Sequence, residues 1–470
     1  MNNVIDTIEK RWLQGLRESA ARAARLKKPV LFSDLKKINT TKSLLFFEEG
    51  RAIYGGKRFV FHSSDLFLVG LGAAYSIQAK GNSRFDTVRN EWKEINEQMI
   101  FQKEAGADPA ALPILFGGFS FDTSSAHGSL WAPFSDASFF LPVWLLRIQE
   151  RQASLTHTIL CPPEVEPEQL LSQFVQEEEA LTRMERPRLV RTPQRLYQKE
   201  NQNREQWRGL VNAARQQMRS SALNKVVLAR TRQITFSGPL DPVQLLERLA
   251  EGQQENYLFC LETGGRAFLG ATPERLVKKR GQRLDAAGVA GSAPRGENPQ
   301  EDRLIANELF ADPKNRQEHQ YVVTMVTQAL QKLAGDLDFP EEPLIMKNKN
   351  IQHLYTPVRA RAHALVSIFD LVKALHPTPA LGGAPREAAL RWLRANEQLD
   401  RGFYGAPIGW CDTEGNGEFV VAIRSALVSG NAATLYAGCG VLEASDPDME
   451  YEETALKFRP MMDVLPGEDK

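Results

Sequence analysis

Apolar positions change their period along this chain. Over the first 25 residues they recur at helical spacing among Arg and Lys, which predicts a polar amphipathic helix. From Pro29 to about Leu160 the pattern turns into short apolar runs broken by glycine and polar turns. Arg58-Phe-Val-Phe-His, Pro113-Ile-Leu-Phe-Gly-Gly-Phe-Ser-Phe and Ser138-Phe-Phe-Leu-Pro-Val-Trp-Leu-Leu read as strands of a β-rich layer. An acidic helical segment at about 167–183 then leads into a basic, Pro-punctuated stretch, 184–202, the best candidate boundary. The chain thus divides into a variable β-rich N-terminal region, 1–190, and a second region, 200–465, expected to share one compact unit with it.

Beyond residue 200 helices and strands alternate irregularly. Helices are expected at about 204–218, 242–250, 299–310, 318–333 and 385–396. In 318–333 the positions Val322, Met325, Val326, Ala329, Leu330 and Leu333 share one stripe. Lys225-Val-Val-Leu-Ala-Arg, Tyr257-Leu-Phe-Cys-Leu and Ala267-Phe-Leu-Gly read as strands, and 402–440 as three hairpin-like strands. Tight Gly and Asn turns between strands imply antiparallel pairing. The expected fold class is therefore α+β, with an antiparallel β-sandwich core surrounded by helices, and not a doubly wound parallel sheet.

The bulk properties narrow the function. Lys plus Arg and Asp plus Glu number 58 each, so no global field favours nucleic acid or a membrane surface. No apolar run approaches a membrane span, and acids sit where a signal peptide would carry its apolar core. The four cysteines are widely spaced without a CxxC pair, which argues against a disulfide framework or a zinc site. A cytoplasmic protein with no obligatory protein partner is expected.

Several segments hold residue types suited to chemistry. In the last forty residues a glycine-bearing run, Tyr436-Ala-Gly-Cys-Gly, is followed by a helix start in which Glu450, Glu453 and Lys457 fall on one face. Two carboxylates and an ammonium beside bare backbone suit a metal ion next to an anionic substrate. The alternative is a solvated helix start with an i,i+4 ion pair. Lys225 reads either as a solvated strand-edge lysine or as a desolvated amine able to act as general base. Glu274, in Thr272-Pro-Glu, reads as a first-turn acid after an N-cap and N1 Pro, or as a carboxylic acid held near a leaving group. Ala287-Gly-Val-Ala-Gly-Ser-Ala-Pro-Arg-Gly has the texture of an anion-binding loop but lacks a P-loop ending. Glu318-His319 is expected to open a helix, and His353 to be a satisfied structural histidine unless it is catalytic. Arg424 reads as a buried strand arginine, which calls for an anionic partner such as a ligand carboxylate.

Taken together and in this order, these segments resemble the chorismate-using enzymes: isochorismate synthase, salicylate synthase, the large subunit of anthranilate synthase, and aminodeoxychorismate synthase. The resemblance rests on Lys225-Val-Val-Leu-Ala-Arg, Gly270-Ala-Thr-Pro-Glu-Arg-Leu, Ala290-Gly-Ser, Glu318-His, Gln352-His-Leu, Pro377-Thr-Pro-Ala-Leu-Gly-Gly, Ala422-Ile-Arg-Ser and Gly438-Cys-Gly through Lys457. It implies Mg²⁺ held by Glu318 and Glu453, and chorismate carboxylates held by Arg424 and Lys457. Gly291, Ser292, Ala380 and Gly438 would line the site, and His353 would lie near the ring. Some relatives carry a further acid where this chain has Asn315. Those that make anthranilate carry Gln at the position of Lys225, and aminodeoxychorismate synthases use a lysine at the position of Ala290. Lys225 with Ala290 thus points to water as nucleophile. Lys225 would be the base and Glu274 the acid of an isochorismate synthase, feeding menaquinone in one version and a catechol siderophore in another. A salicylate synthase, which adds pyruvate elimination, is the second expectation. A catalytically silent scaffold or glutaminase-partner subunit is disfavoured, because every mapped position holds a competent residue.

Overall fold

Short apolar runs with alternating burial build two large sheets, and the coordinates, a computed structural model, describe residues 2–40, 42–123, 128–150, 152–182, 192–349 and 351–467. Residues 184–191 of the expected boundary lie outside these. Among the described residues the larger sheet has thirteen strands. Its path begins Arg195–Glu200, Lys225–Phe236, Ala432–Val441, Ser425–Ser429, Arg266–Thr272, Tyr257–Thr263 and then Arg58–His62. The second sheet has ten, with Ile351–Ala362, Arg283–Pro294, Arg275–Arg280, Gly417–Val421, Pro407–Asp412 and Ile114–Phe119 in neighbouring order. Pairing is antiparallel throughout the described strands except where Val30–Ile38 runs parallel to Ile100–Lys103.

The inner faces of the sheets pack on one another. Phe59 of the larger sheet stacks on Phe116 of the smaller at 4.0 Å between ring centroids, and Phe61, Phe268, Phe419 and Trp410 extend the same buried cluster. Aromatic rings of this size remove much apolar area from water and dominate core energetics. A second cluster, with Trp12, Phe46, Phe47, Phe174 and Leu246 from helices, covers the outer face of the larger sheet. Helix Pro313–Gln331 and helix Ile368–Leu375 pack on the smaller sheet.

The expected α+β sandwich is therefore present, with local departures. Residues 29–160 contain helices Ser43–Glu49, Arg51–Tyr54 and Arg84–Gln98 besides strands. In the last of these, Phe85, Val88 and Trp92 form a buried stripe at helical spacing. The expected helix at 318–333 begins earlier, at Pro313, because the Asp312 side chain caps it by accepting from the Asn315 N–H. Four strands occupy 402–440 where three were expected.

The remaining departures matter for function. Thr272-Pro273-Glu274 opens no helix. It is the point where the chain leaves strand Arg266–Thr272 of one sheet and enters Arg275–Arg280 of the other. Residues 422–424 make the reverse crossing, and Arg424 adopts a left-handed φ of 51° there, outside any strand. The two crossings are tied together: the Val421 N–H donates to Glu274 O, and the Ala271 N–H to Arg424 O. The glycine segment at 287–296 is no free loop, since it lies largely in strand Arg283–Pro294, with a bulge between Ala290 and Ser292 where Gly291 takes φ 76°.

Candidate active site

The seam between the sheets brings the singled-out residues together. One pocket of about 60 Å³ is lined by Glu274, Gly291, Ser292, Glu318, His353, Ala380, Arg424, Gly438, Glu453 and Lys457. Lys225 lies one layer behind this lining, its Nζ 2.9 Å from Glu318 Oε1. A larger cavity, about 650 Å³ against helix Arg84–Gln98, gathers none of these residues. Chemistry here follows convergence of side chains, not size.

Each side chain is placed by an identifiable element. Lys225 is 0% exposed at the start of a strand whose neighbour carries Gly440, which rules out the solvated strand-edge alternative. A Cβ on Gly440 would collide with Glu318 Oε1 and crowd Lys225 Cε, so the bare backbone makes room for the ion pair. The Lys225 Nζ has that ion pair but no well-directed hydrogen bond, a buried donor with unmet capacity. Glu318 and His319 stand in the second turn of their helix, past the reach of a first-turn explanation. His319 turns away from the pocket and meets Thr356 Oγ1 at 2.8 Å, as a structural histidine would.

Helix Pro447–Met462 supplies the other wall. Asp446 caps it, accepting from the Asp448 and Met449 N–H groups. Lys457 Nζ donates to Glu453 Oε1 at 2.5 Å and to Gly438 O at 3.0 Å, so the expected i,i+4 pair exists inside the pocket. Glu450 is only 1% exposed but does not line the pocket, and Lys314 Nζ holds it at 2.8 Å. It is a buried, paired carboxylate, distinct from a solvated first-turn charge.

Electrostatics divide the ionisable groups by role. Burial pushes the Glu274 carboxyl up to about 7, against the opposing pull of Arg424, Lys457 and Lys225. Glu318 is half-buried and also feels desolvation, but Lys225, Lys457 and Lys314 outweigh it and hold the carboxylate below its usual range. Burial, with Arg424 and Lys457 adding to it, lowers His353 to about 3, so its ring is neutral, with Nδ1 2.9 Å from Ser292 Oγ. Among the described residues no hydrogen bond or ion pair engages the Arg424 guanidinium, although Arg424 is only 8% exposed. A buried cation in that state is poised for an external anion.

Could the site hold a metal? Among the described residues no three His, Cys, Asp or Glu side chains form a cage. Mg²⁺, however, is commonly held by one or two carboxylates plus substrate oxygens and water. Glu318 and Glu453 on one pocket fit that donor set. Tyr404 was not singled out in the sequence. Its phenol lines the pocket with no hydrogen bond among the described residues, and burial pushes its ionisation up, leaving it a neutral donor. Nothing in Gly402-Phe-Tyr-Gly signals this, because only the turn after residue 401 aims the ring inward.

The family profile described as "Chorismate binding enzyme" matches residues 17–466. "Isochorismate synthase MenF" of Bacillus subtilis (strain 168) is 36% identical over 483 residues, spanning 99% of this chain and 100% of that protein. "Salicylate biosynthesis isochorismate synthase" of Pseudomonas aeruginosa is 38% identical over 84% of this chain and 82% of that protein. The solved menaquinone-specific isochorismate synthase MenF from Escherichia coli aligns with TM-score 0.77 at 22% identity, covering 96% of this chain and 100% of that one. Anthranilate synthase component I from Streptococcus pneumoniae TIGR4 aligns at 0.68 with 19% identity, covering 84% and 92%. These last two likenesses concern the fold alone, which is shared by relatives of different activity. The length and identity of the sequence matches carry the further conclusion that this chain is a member of the chorismate binding enzyme family.

Proposed function

We propose that this chain isomerises chorismate to isochorismate, adding water at C2 and losing the C4 hydroxyl. The observation that carries this is a buried carboxyl on the pocket lining, Glu274, whose proton affinity is raised to neutrality, facing a buried amine, Lys225, held directly behind that lining by Glu318. Lys225 Nζ, as the neutral amine released from its ion pair with Glu318, takes a proton from the water that bonds to C2. Glu274 gives its proton to the C4 oxygen as that C–O bond breaks, and the ring double bonds shift between the two carbons. An acid with pKa near the working pH donates effectively, which a solvated glutamate would not.

Binding uses the remaining cations. Arg424, without a carboxylate of its own, takes a substrate carboxylate in bidentate fashion. Lys457 exchanges Glu453 for another, and Tyr404 and the neutral His353 contribute uncharged polar edges. Glu318 and Glu453 would hold Mg²⁺, which supplies positive charge that orients and neutralises a ring carboxylate.

The near full-length match to a protein named isochorismate synthase MenF, a name carried by the solved Escherichia coli enzyme described as menaquinone-specific, supports placement in menaquinone formation. The salicylate-biosynthesis relative supports a second version, in which isochorismate serves that route. One assay tests the proposal: purified protein with chorismate and Mg²⁺, products resolved by chromatography. Isochorismate alone is expected. Salicylate with pyruvate would make the chain a salicylate synthase, and anthranilate formed with added ammonia would overturn the use of Lys225 with water.

A further inference from the structure

The strand that carries Lys225 has an interrupted edge. On one side it is laddered along 226–235 to Ala432–Val441. On the other side Lys225 and Val226 pair with Ala384 and Gly383, and the Val227 N–H donates to Gly382 O, where that short neighbour ends. Support resumes at Thr231, whose N–H donates to Asn201 Oδ1 and whose O accepts from the Asn201 N–H, and continues from Arg232 onward with Arg195–Glu200. Between them, backbone groups of a strand beside the pocket would lack partners, a costly condition in a buried place.

One buried ion pair fills the gap. Arg401 Nη2 donates to Val227 O at 2.6 Å, and the Ala229 N–H donates to Glu397 Oε2 at 2.9 Å. These are the outward groups of alternate residues, the ones an adjacent strand would engage. The two side chains are joined by Arg401 Nε to Glu397 Oε1 at 2.6 Å and Nη2 to Oε2 at 2.5 Å. Arg401 Nη1 also donates to Leu381 O at 3.0 Å, and the Tyr404 N–H donates to Arg401 O at 2.8 Å. Leu381 and Tyr404 line the pocket, and Val227 does so as well. The guanidinium lies over the Phe121 ring, 4.3 Å from its centroid, closing the shell.

We infer that Glu397 and Arg401 are positioning residues: their ion pair stands in for a missing strand and sets the Lys225 strand against the 378–382 turn. The pair touches neither pocket contents nor reacting atoms. It acts through Val227, Ala229 and Leu381 on the placement of Lys225, Ala380 and Tyr404. Its consequence for turnover rests on the role given to Lys225 above, whereas its consequence for the strand does not.

The test uses the full chain in two forms. Arg401→Lys keeps the charge but lacks the fork that reaches two carbonyls and a carboxylate at once. Glu397→Leu with Arg401→Met removes both charges together, so no buried charge is left alone and folding is preserved. Amide hydrogen exchange is followed by mass spectrometry over peptides spanning 225–231 and 378–384, beside peptides of the distant Arg58–His62 strand. Both variants are expected to exchange at least about tenfold faster in the first two regions and unchanged in the third. Chorismate turnover should fall about tenfold to a hundredfold, mainly in kcat, as for a misplaced base. Unchanged exchange at 225–231 in the folded double variant would overturn the inference whatever the activity. Faster exchange with native kcat would overturn the positioning role. If the unaltered protein makes no isochorismate, the proposed reaction fails, while the exchange comparison still decides the strand's support.

Discussion

Replacing Arg424 by Met should make this protein more stable and a worse enzyme at once. The guanidinium is buried with no ion pair or hydrogen bond among the described residues, and its desolvation is opposed only by the through-space pull of Tyr404, Glu453 and Glu274. Met of similar reach removes that penalty, an expected gain of about 1–3 kcal/mol. With about 2.1 cal/mol/K of unfolding entropy per residue, 470 residues carry roughly 1 kcal/mol/K, so the Tm should rise by about 1–3 °C in differential scanning fluorimetry. Loss of a charge-assisted contact to a substrate carboxylate removes about 1.5–3 kcal/mol of binding. That raises KM for chorismate by about 10- to 150-fold. A third signature follows from Glu274. Arg424 heads the charges that pull the Glu274 carboxyl down towards about 7, so without it that pKa rises. A general acid works only while protonated, so the falling limb of kcat above pH 7 should move to higher pH in Arg424→Met. A lower Tm together with unchanged KM would refute the assignment of Arg424 as an anion receptor awaiting substrate.

Three other outcomes are expected. Lys225→Gln should lower isochorismate formation by about 10²- to 10⁴-fold with unchanged circular dichroism, and retained activity would remove Lys225 as base. Glu274 has its folded pKa, about 7, above the unfolded value near 4.5, so its burial lowers stability progressively as pH rises through that window. Glu274→Gln should therefore exceed the unaltered protein in unfolding free energy, from denaturant titration above pH 7, by at most about 3 kcal/mol, with the difference vanishing near pH 4.5, while activity is lost; equal unfolding free energies at pH 8 would contradict that. Mg²⁺ at 10 mM should raise the Tm of the unaltered protein, and Glu318→Gln or Glu453→Gln should abolish the shift; a shift of equal size in both variants would place the metal elsewhere.

The primary sequence was informative wherever local physics suffices. Helix Arg204–Ser220 follows from its apolar stripe and the Asn203 cap. Lys225-Val-Val-Leu-Ala-Arg reads as a strand because a run of β-branched residues favours that conformation. The placement of Glu450, Glu453 and Lys457 on one face follows from helical period alone. The ordered motifs also carried the family, because each is a short run of residue types.

Tertiary structure decided what depends on neighbours distant in sequence. Thr272-Pro273-Glu274 satisfies every local rule for a helix start, yet the flanking runs are claimed by strands of different sheets, so the segment becomes a crossing and Glu274 is carried into the seam. Lys225 reads as a surface lysine until Gly440, 215 residues away, is seen to leave room for Glu318 beside it. Tyr404 and the Glu397–Arg401 pair carry no local signal, since their value lies in backbone groups of another strand. Local propensity is set by a residue and its near neighbours. Burial, pairing and proton affinity are set by whatever the completed sheets bring within a few ångströms, and that is where the candidate chemistry of this chain resides.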